Sequence, residues 1–265
     1  MMNILVIRAP GTNCDVETVR GIKECGLNAI TVHTDKLLKG SIDLSEFYAL
    51  VIPGGFSYGD SVRAGAIWAA KLNSKLLNSL RDFIDDGRPV LGICNGFQVL
   101  VELGLLPGWN DNSTPSVALA PNISGKFECR WINLRVANVN NVFLRYFSKN
   151  SILRLPIAHS EGRFIASKNI LSILERNGQI AFKYCLPNGK PADMLYPFNP
   201  NGSIMDIAGI MNPAGNVLGL MPHPERAVYF WQLPTFPSNI AAKTYFGDGY
   251  WIFKSMCDYI IEHFQ

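Results

Sequence analysis

No stretch of this 265-residue chain approaches the roughly 18 consecutive apolar residues that a membrane-spanning helix needs. Charge is scarce too. Only 17% of residues are Asp, Glu, Lys or Arg, the net charge is +3 and no basic run occurs, which argues against a nucleic-acid or anionic-membrane partner. The start, MMNILVIRAPG, lacks the basic region and cleavage site of a signal peptide, so a cytoplasmic location is the expectation. The six cysteines, at 14, 25, 94, 129, 185 and 257, form no Cys-x-x-Cys pair and no zinc-like spacing with the four histidines. A structural metal is therefore not expected, and without a secretion signal neither is a disulfide framework. Five of these cysteines read as reduced and mostly buried. No GxxxxGK[ST] loop or kinase-like motif for ATP is present.

What remains is a chain rich in core: 48% hydrophobic residues over 265 positions fit one large globular domain, or one domain with an appended lobe. Residues 3 to 103 alternate strand-like and helix-like segments. Asn3 to Ile7, Ala29 to His33, Tyr48 to Ile52 and Pro89 to Ile93 read as strands. Asp15 to Cys25, Ser61 to Lys71 and Ser74 to Asp86 read as helices, each opened by an Asp, Ser or Asn of the N-cap type. That pattern predicts an α/β fold, an open and mostly parallel sheet flanked by helices, with ligands bound beyond the carboxyl ends of the strands.

From about residue 105 short β-like runs follow: Phe127 to Val136, Arg154 to Ala158, Gly178 to Tyr184, Ile207 to Met211 and Val217 to Met221. These add strands in the C-terminal half. A polar, aromatic stretch, Tyr229 to Gly247, precedes a C-terminal helix near Tyr250 to His263. The apolar face Ile252, Phe253, Met256, Ile260 and Phe264 would dock that helix on the core.

The stretch PVLGICNGFQVL, residues 89 to 100, carries the first chemical signal. Cys94 sits between Gly92 and Gly96 where an apolar strand turns into a helix, the G-x-nucleophile-x-G arrangement that lifts a side chain out of a sheet on a sharp turn. A helix N-terminus there favours thiolate over thiol. The alternative is a cysteine buried for packing, and the pentapeptide alone does not choose between them.

A thiol nucleophile needs an imidazole, and the imidazole a carboxylate. His33 and His263 read as structural or solvent-exposed. His159 precedes Ser160-Glu161-Gly162-Arg163 in a predicted loop and could line a site. His223, in LGLMPHPERA, is the stronger candidate: Pro222 and Pro224 should hold His223 and Glu225 in an extended segment, where residues two apart point the same way. A solvated His and Glu in a rigid loop is the bland reading. For the oxyanion, VIPGGFSYGD at 51 to 60 places Gly54 and Gly55 after a strand, where backbone N–H groups can approach a carbonyl closely. A second donor can come from Asn95. An ordinary tight turn would look the same.

Taken in order, GGF, GICNGFQ and HPE resemble the Cys-His-Glu set of the class I (triad) glutamine amidotransferases, whose fold is flavodoxin-like. RAPGTNCD, GGFSYGD, NISGKFECRW, PIAHSEGRF, FNPNGS and GLMPHPERA, spread over residues 8 to 227, narrow this to a resemblance to the glutaminase components of phosphoribosylformylglycinamidine synthases, and GDGYWIFKSM is similar too. The resemblance implies Cys94, His223 and Glu225 as catalytic residues, Gly55 and Asn95 as oxyanion donors, and Gln98 and Phe56 as contacts of the substrate glutamine.

It also implies a purine-biosynthetic role. The chain would carry no cofactor. ATP and Mg would belong to an ATP-dependent synthetase subunit that receives the ammonia, with a small accessory subunit bridging the two. Residues 1–265 would then form one amidotransferase domain, with 229–247 as a partner-contacting insertion. One departure stands out: Ser160 in HSEGR replaces a glycine of the usual pattern. A stand-alone thiol hydrolase or peptidase of the same architecture is the alternative, and a regulatory subunit with a relic site a third, which the intact Cys94, His223 and Glu225 argue against.

Overall fold

The computed structural model describes residues 2–109, 115–234 and 245–264. Its first half runs β1 (Asn3–Arg8), α1 (Asp15–Glu24), β2 (Asn28–His33), α2 (Thr34–Leu38), β3 (Ala49–Ile52), α3 (Ala66–Asp85), β4 (Val90–Ile93) and α4 (Asn95–Glu102). Strands β3 and β4 are buried at every position, which is why they read as unbroken apolar runs rather than alternating ones. The second half contributes β5 (Val117–Pro121), β6 (Glu128–Val136), β7 (Ile152–His159), β8 (Glu161–Ala166), α5 (Lys168–Arg176), β9 (Ile180–Cys185), β10 (Ile207–Met211), β11 (Val217–Leu220) and α6 (Asp248–Phe264).

Among the described residues nine strands form one sheet in the order β2-β1-β3-β4-β11-β10-β9-β6-β7, and β5 pairs with β8 in a separate two-stranded sheet. Pairings from β2 through β11 are parallel, and those from β11 through β7 antiparallel. The expected parallel sheet is therefore present, and β6, β7, β9, β10 and β11 extend it. The order reverses at β1, whose neighbours β2 and β3 run out in opposite directions. The crevice at such a reversal is where ligands bind in these sheets.

Several local expectations need correction. The helices expected at Ser61 to Lys71 and Ser74 to Asp86 are one helix, α3. Gly65, at φ +80°, turns the chain into it, so residues 61 to 65 lie outside. Asn73 and Ser74 do not interrupt it, because the Ser74 hydroxyl donates to the Lys71 carbonyl (2.7 Å), a bond compatible with helix. The short α2, the β5–β8 pair and α5 have no counterpart in the sequence reading. His159 is not in a loop: it ends β7, and Ser160 alone separates it from β8.

On α6, Ile252, Phe253, Met256 and Ile260 are buried, as their spacing predicts, and Phe264 packs edge-on to Tyr48 at 6.0 Å. Gly21 of α1 makes this close approach possible, since a Cβ there would lie 3.1 Å from the Phe253 ring. The aromatic stretch before α6 is described only at its ends. Tyr229 stacks on Trp231 at 4.5 Å, with Tyr245 edge-on to both. Phe246 stacks on Tyr250 at 3.6 Å. Residues 235–244, Phe236 among them, lie outside the described residues. No helix among the described residues is long and apolar enough to cross a membrane.

Candidate active site

The parallel strands β1, β3, β4 and β11 each end in a loop at the same sheet edge, and those four loops carry the predicted chemistry. Cys94 follows β4 with φ +50° and ψ −103°, a conformation L-residues rarely adopt. Such strain persists only where the surroundings enforce it. Here they do. The Cys94 N–H bonds the Leu220 carbonyl (2.8 Å), and a Cβ on Gly96 would lie 1.8 Å from the Ile52 carbonyl oxygen. A Cβ on Gly92 would meet Gly96 O at 2.7 Å. Both flanking glycines are thus required for the helix to start this close to the sheet. The Cys94 sulfur lies 3.8 Å from the Ala158 carbonyl, and the residue is 4% exposed.

His223 follows β11. Its N–H bonds the Pro156 carbonyl of β7 at 2.8 Å, and its Nδ1 lies 2.5 Å from Glu225 Oε1. The expected extended geometry is not what brings them together: Pro224–Arg226 is a single 3-10 turn, which curls Glu225 back under the ring. Packing fixes that turn, because a Cβ on Gly249 at the start of α6 would lie 2.0 Å from the Pro224 oxygen. Both side chains are buried, and His223 Nε2 makes no hydrogen bond among the described residues. Burial opposes charge on the ring, yet Glu225, Cys94 and a contact from Cys14 together raise its pKa well above the usual histidine range. The neighbouring carboxylate of Glu225 thus favours a proton on this ring.

The loop after β3 lies against the loop after β1, where Phe56 N–H bonds Gly11 O (3.0 Å) and Asn13 N–H bonds Gly54 O (3.4 Å). Neither the Gly55 N–H nor the Asn95 N–H, the latter in the first turn of α4, has an acceptor among the described residues. Both are free to serve an oxyanion. The Asn95 side chain accepts from the Ser57 N–H (3.2 Å) and donates to Gln98 Oε1 (2.9 Å), tying the two loops. Gln98 in turn donates to the Glu161 carbonyl (2.5 Å), so both ends of its amide are bonded within the protein. Contact with a substrate would require one of these bonds to open. Phe56 is 40% exposed, its ring 6.1 Å from that of Phe127. Of the other histidines, His33 accepts from the Asp35 N–H and so caps α2, and His263 bonds the Tyr259 carbonyl within α6.

Two further groups stand beside these residues: Cys14, which the sequence did not single out, and His159, which was expected to line a site from a loop. Cys14, at the N-cap of α1, has its sulfur 3.9 Å from His223 Nδ1 and accepts from the Arg226 guanidinium (3.1 Å). His159 is the other. Asn122 Nδ2 donates to the His159 and Lys126 carbonyls (2.8 and 2.9 Å), so Asn122 Oδ1 must be the acceptor, 3.0 Å from His159 Nδ1. His159 Nδ1 then carries the proton, and Nε2 is a buried bare acceptor without a partner among the described residues. Gly162 is needed there, since a Cβ would lie 2.4 Å from the ring. Asn201 donates to Gly162 O (2.8 Å) and to the Tyr184 hydroxyl (3.1 Å), which gives FNPNGS the task of holding β8 to β9. Ser160 does not take a positive φ, so a side chain in place of glycine is accommodated.

Burial, aided by the charge of His223, lowers the His159 pKa to about 3. The unfolded chain takes up this proton near 6.5, the folded protein only near 3, so folding loses stability as pH falls through that window, by about 1.4 kcal/mol per unit. His159→Asn should remove that slope: the Tm difference from the parent should shrink between pH 7.5 and 5. Parallel Tm curves would show that His159 is not held neutral.

The family model for the CobB/CobQ-like glutamine amidotransferase domain matches residues 1–260. The phosphoribosylformylglycinamidine synthase subunit PurQ of Archaeoglobus fulgidus is 41% identical over 273 residues, covering 98% of this chain and 97% of that protein. That of Aquifex aeolicus is 43% identical over 226 residues, or 85% and 91%. Among solved structures, PurLQS from Thermotoga maritima superposes with a TM-score of 0.74 at 32% identity, over 98% of this chain and 99% of the matched one. With a strained cysteine on a strand-to-helix turn beside a buried histidine–glutamate pair, and with similarity running its whole length, this chain belongs to the CobB/CobQ-like glutamine amidotransferase family.

Proposed function

We propose that this chain is the glutaminase subunit of a phosphoribosylformylglycinamidine synthase, an enzyme of purine biosynthesis. The observation that supports it most directly is the convergence, at one edge of the sheet, of Cys94, the unpaired Gly55 and Asn95 N–H groups and the His223–Glu225 pair. The relatives named above, alike over nearly the full chain, supply the reaction in which that chemistry is used.

In this reading the Cys94 thiolate attacks the side-chain carboxamide of glutamine, and its proton resides on His223. The tetrahedral oxyanion takes the N–H groups of Gly55 and Asn95. His223 then gives its proton to the departing ammonia, while Glu225 holds Nδ1–H and keeps Nε2 available. Water, deprotonated by the same imidazole, cleaves the glutamyl thioester to glutamate. The ammonia passes to a PurL-type synthetase subunit, with a small accessory subunit completing the complex and the 229–247 segment as one contact. The chain itself uses no cofactor, ATP and Mg being the synthetase's, and the complex works in the cytoplasm.

Glutamate release should be measured for the purified chain alone, then with its synthetase, formylglycinamide ribonucleotide and ATP. Turnover that rises sharply in the complete mixture supports the coupled subunit. Cys94-dependent cleavage of other amides or of peptides, with no glutamate, would favour the stand-alone hydrolase instead. Within the triad, His223→Ala should lower kcat more than Glu225→Ala, because proton transfer is a larger contribution than orienting the base. Equal or reversed losses in single-turnover assays would overturn these roles.

A further inference from the structure

Cys94 and Glu225 account for two of the side chains at the His223 ring, and Cys14 is among those left without a task. Cys14 is fixed by its backbone. Its N–H bonds Gly54 O (3.3 Å), and its carbonyl accepts from both the N–H (3.1 Å) and the hydroxyl (2.6 Å) of Thr18. That fixes where the side chain starts, and the sulfur's own neighbours set where it ends. The sulfur sits 3.2 Å from Asn13 Oδ1, 3.1 Å from Arg226 and 3.9 Å from His223 Nδ1, in a residue that is 1% exposed. A Cβ built on Gly54 would touch the same two groups, at 3.2 Å from the Cys14 sulfur and 2.7 Å from His223 Cε1. The imidazole edge that bears Nδ1 and Cε1 is thus enclosed by Glu225, Cys14 and Gly54.

Metal ligation is the obvious use of a cysteine, histidine and glutamate whose donor atoms lie within 4.8 Å of one another. Geometry and charge speak against it. Zinc with ligands near 2.0 Å keeps tetrahedral donors about 3.3 Å apart, whereas Nδ1 and Oε1 are 2.5 Å apart, the spacing of a shared proton. A guanidinium already occupies the position beside the sulfur.

We propose that Cys14 is a positioning residue for amide hydrolysis: its sulfur holds the Nδ1 edge of the His223 ring against Glu225 and Gly54, so that Nε2 stays presented to Cys94. The inference rests on the amidotransferase reading and explains why GTNCD, in the loop after β1, lies at the site at all. Burial, with further help from Glu225, pushes the Cys14 thiol pKa up, so the group acts as a neutral, polarisable neighbour rather than a second nucleophile. The ring is also faced by Cys94 after β4, His159 at the end of β7, and Glu225 and Arg226 on its own turn.

The test compares wild type, Cys14→Ala and Cys14→Ser in the assembled synthetase complex, alongside an NMR titration of 15N-histidine-labelled chain. Cys14→Ala should lower kcat about tenfold with KM unchanged, and should move the His223 titration to lower pH. Cys14→Ser, which keeps a small acceptor at the same place, should recover most of both. An unchanged His223 titration in Cys14→Ala, or a serine variant as impaired as the alanine one, would overturn the proposal. Absence of glutamate from the wild-type complex would instead overturn the amidotransferase reading, leaving the NMR comparison to decide whether Cys14 orients the ring.

Discussion

Cys94→Ala is expected to reduce glutamine-dependent turnover by a factor on the order of 10⁶, the scale of loss when a nucleophile is removed from an otherwise intact triad. Synthesis supplied with free ammonia should continue at the wild-type rate. The two halves of this expectation separate chemistry from scaffolding. Alanine retains the Cβ of cysteine, so the variant keeps whatever strain the φ of +50° and ψ of −103° impose, and loses only the sulfur. The His223–Glu225 pair and the N–H groups of Gly55 and Asn95 remain, but with no thiolate there is no thioester to form. A subunit whose sole contribution is ammonia becomes dispensable once ammonia is added. Loss of the ammonia-dependent reaction in Cys94→Ala would mean that Cys94 holds the complex together, and would sink the nucleophile assignment.

Much of this site was legible because parallel strands buried on both faces leave unbroken apolar runs, and loops at their carboxyl ends follow by position. Val90–Ile93 followed by a glycine-flanked cysteine could be read directly, and Val217–Leu220 followed by His223 likewise. What the sequence could not show is which loops touch. Cys14 lies 209 positions from His223 and reaches it because the loops after β1 and β11 open at the same sheet edge, although β3 and β4 separate the two strands, a proximity set by strand order and not by spacing. The bond from Asn122 to the His159 carbonyl, 37 positions away, was equally hidden. Local errors had local causes. An Asn-Ser pair in α3 resembles a break, yet the serine back-bonds within the helix. The pair β5–β8 is short and mostly half-buried, so it shows no clean alternation. For α5 the signal was present, with Ser167 capping Ile170 and Leu171 and Leu174 turned inward.

Two glycine substitutions should separate the stability of the fold from the competence of its site. Gly96→Ala places a methyl group 1.8 Å from the Ile52 carbonyl oxygen and 2.7 Å from its carbon, contacts with β3 backbone that no rotamer can relieve. Helix α4 would have to move off the sheet, at the edge where Cys94 is held. A loss of more than about 3 kcal/mol is expected, above the usual cost of overpacking, with little folded protein at 37 °C. Gly54→Ala acts on a side chain instead: its methyl would lie 2.7 Å from His223 Cε1 and 3.2 Å from the Cys14 sulfur. The ring can yield by tilting, so stability should fall by only about 1–3 kcal/mol. The tilt, however, displaces Nε2 from Cys94, and a misplacement near 1 Å costs about 100-fold in rate. Thermal melts and active-site-titrated kcat on both variants give the comparison. A Gly96→Ala protein melting like wild type would mean that α4 does not start against β3. A folded Gly54→Ala protein with undiminished kcat would mean that His223 is not confined on its Nδ1 edge, and the account of Cys14 would fall with it.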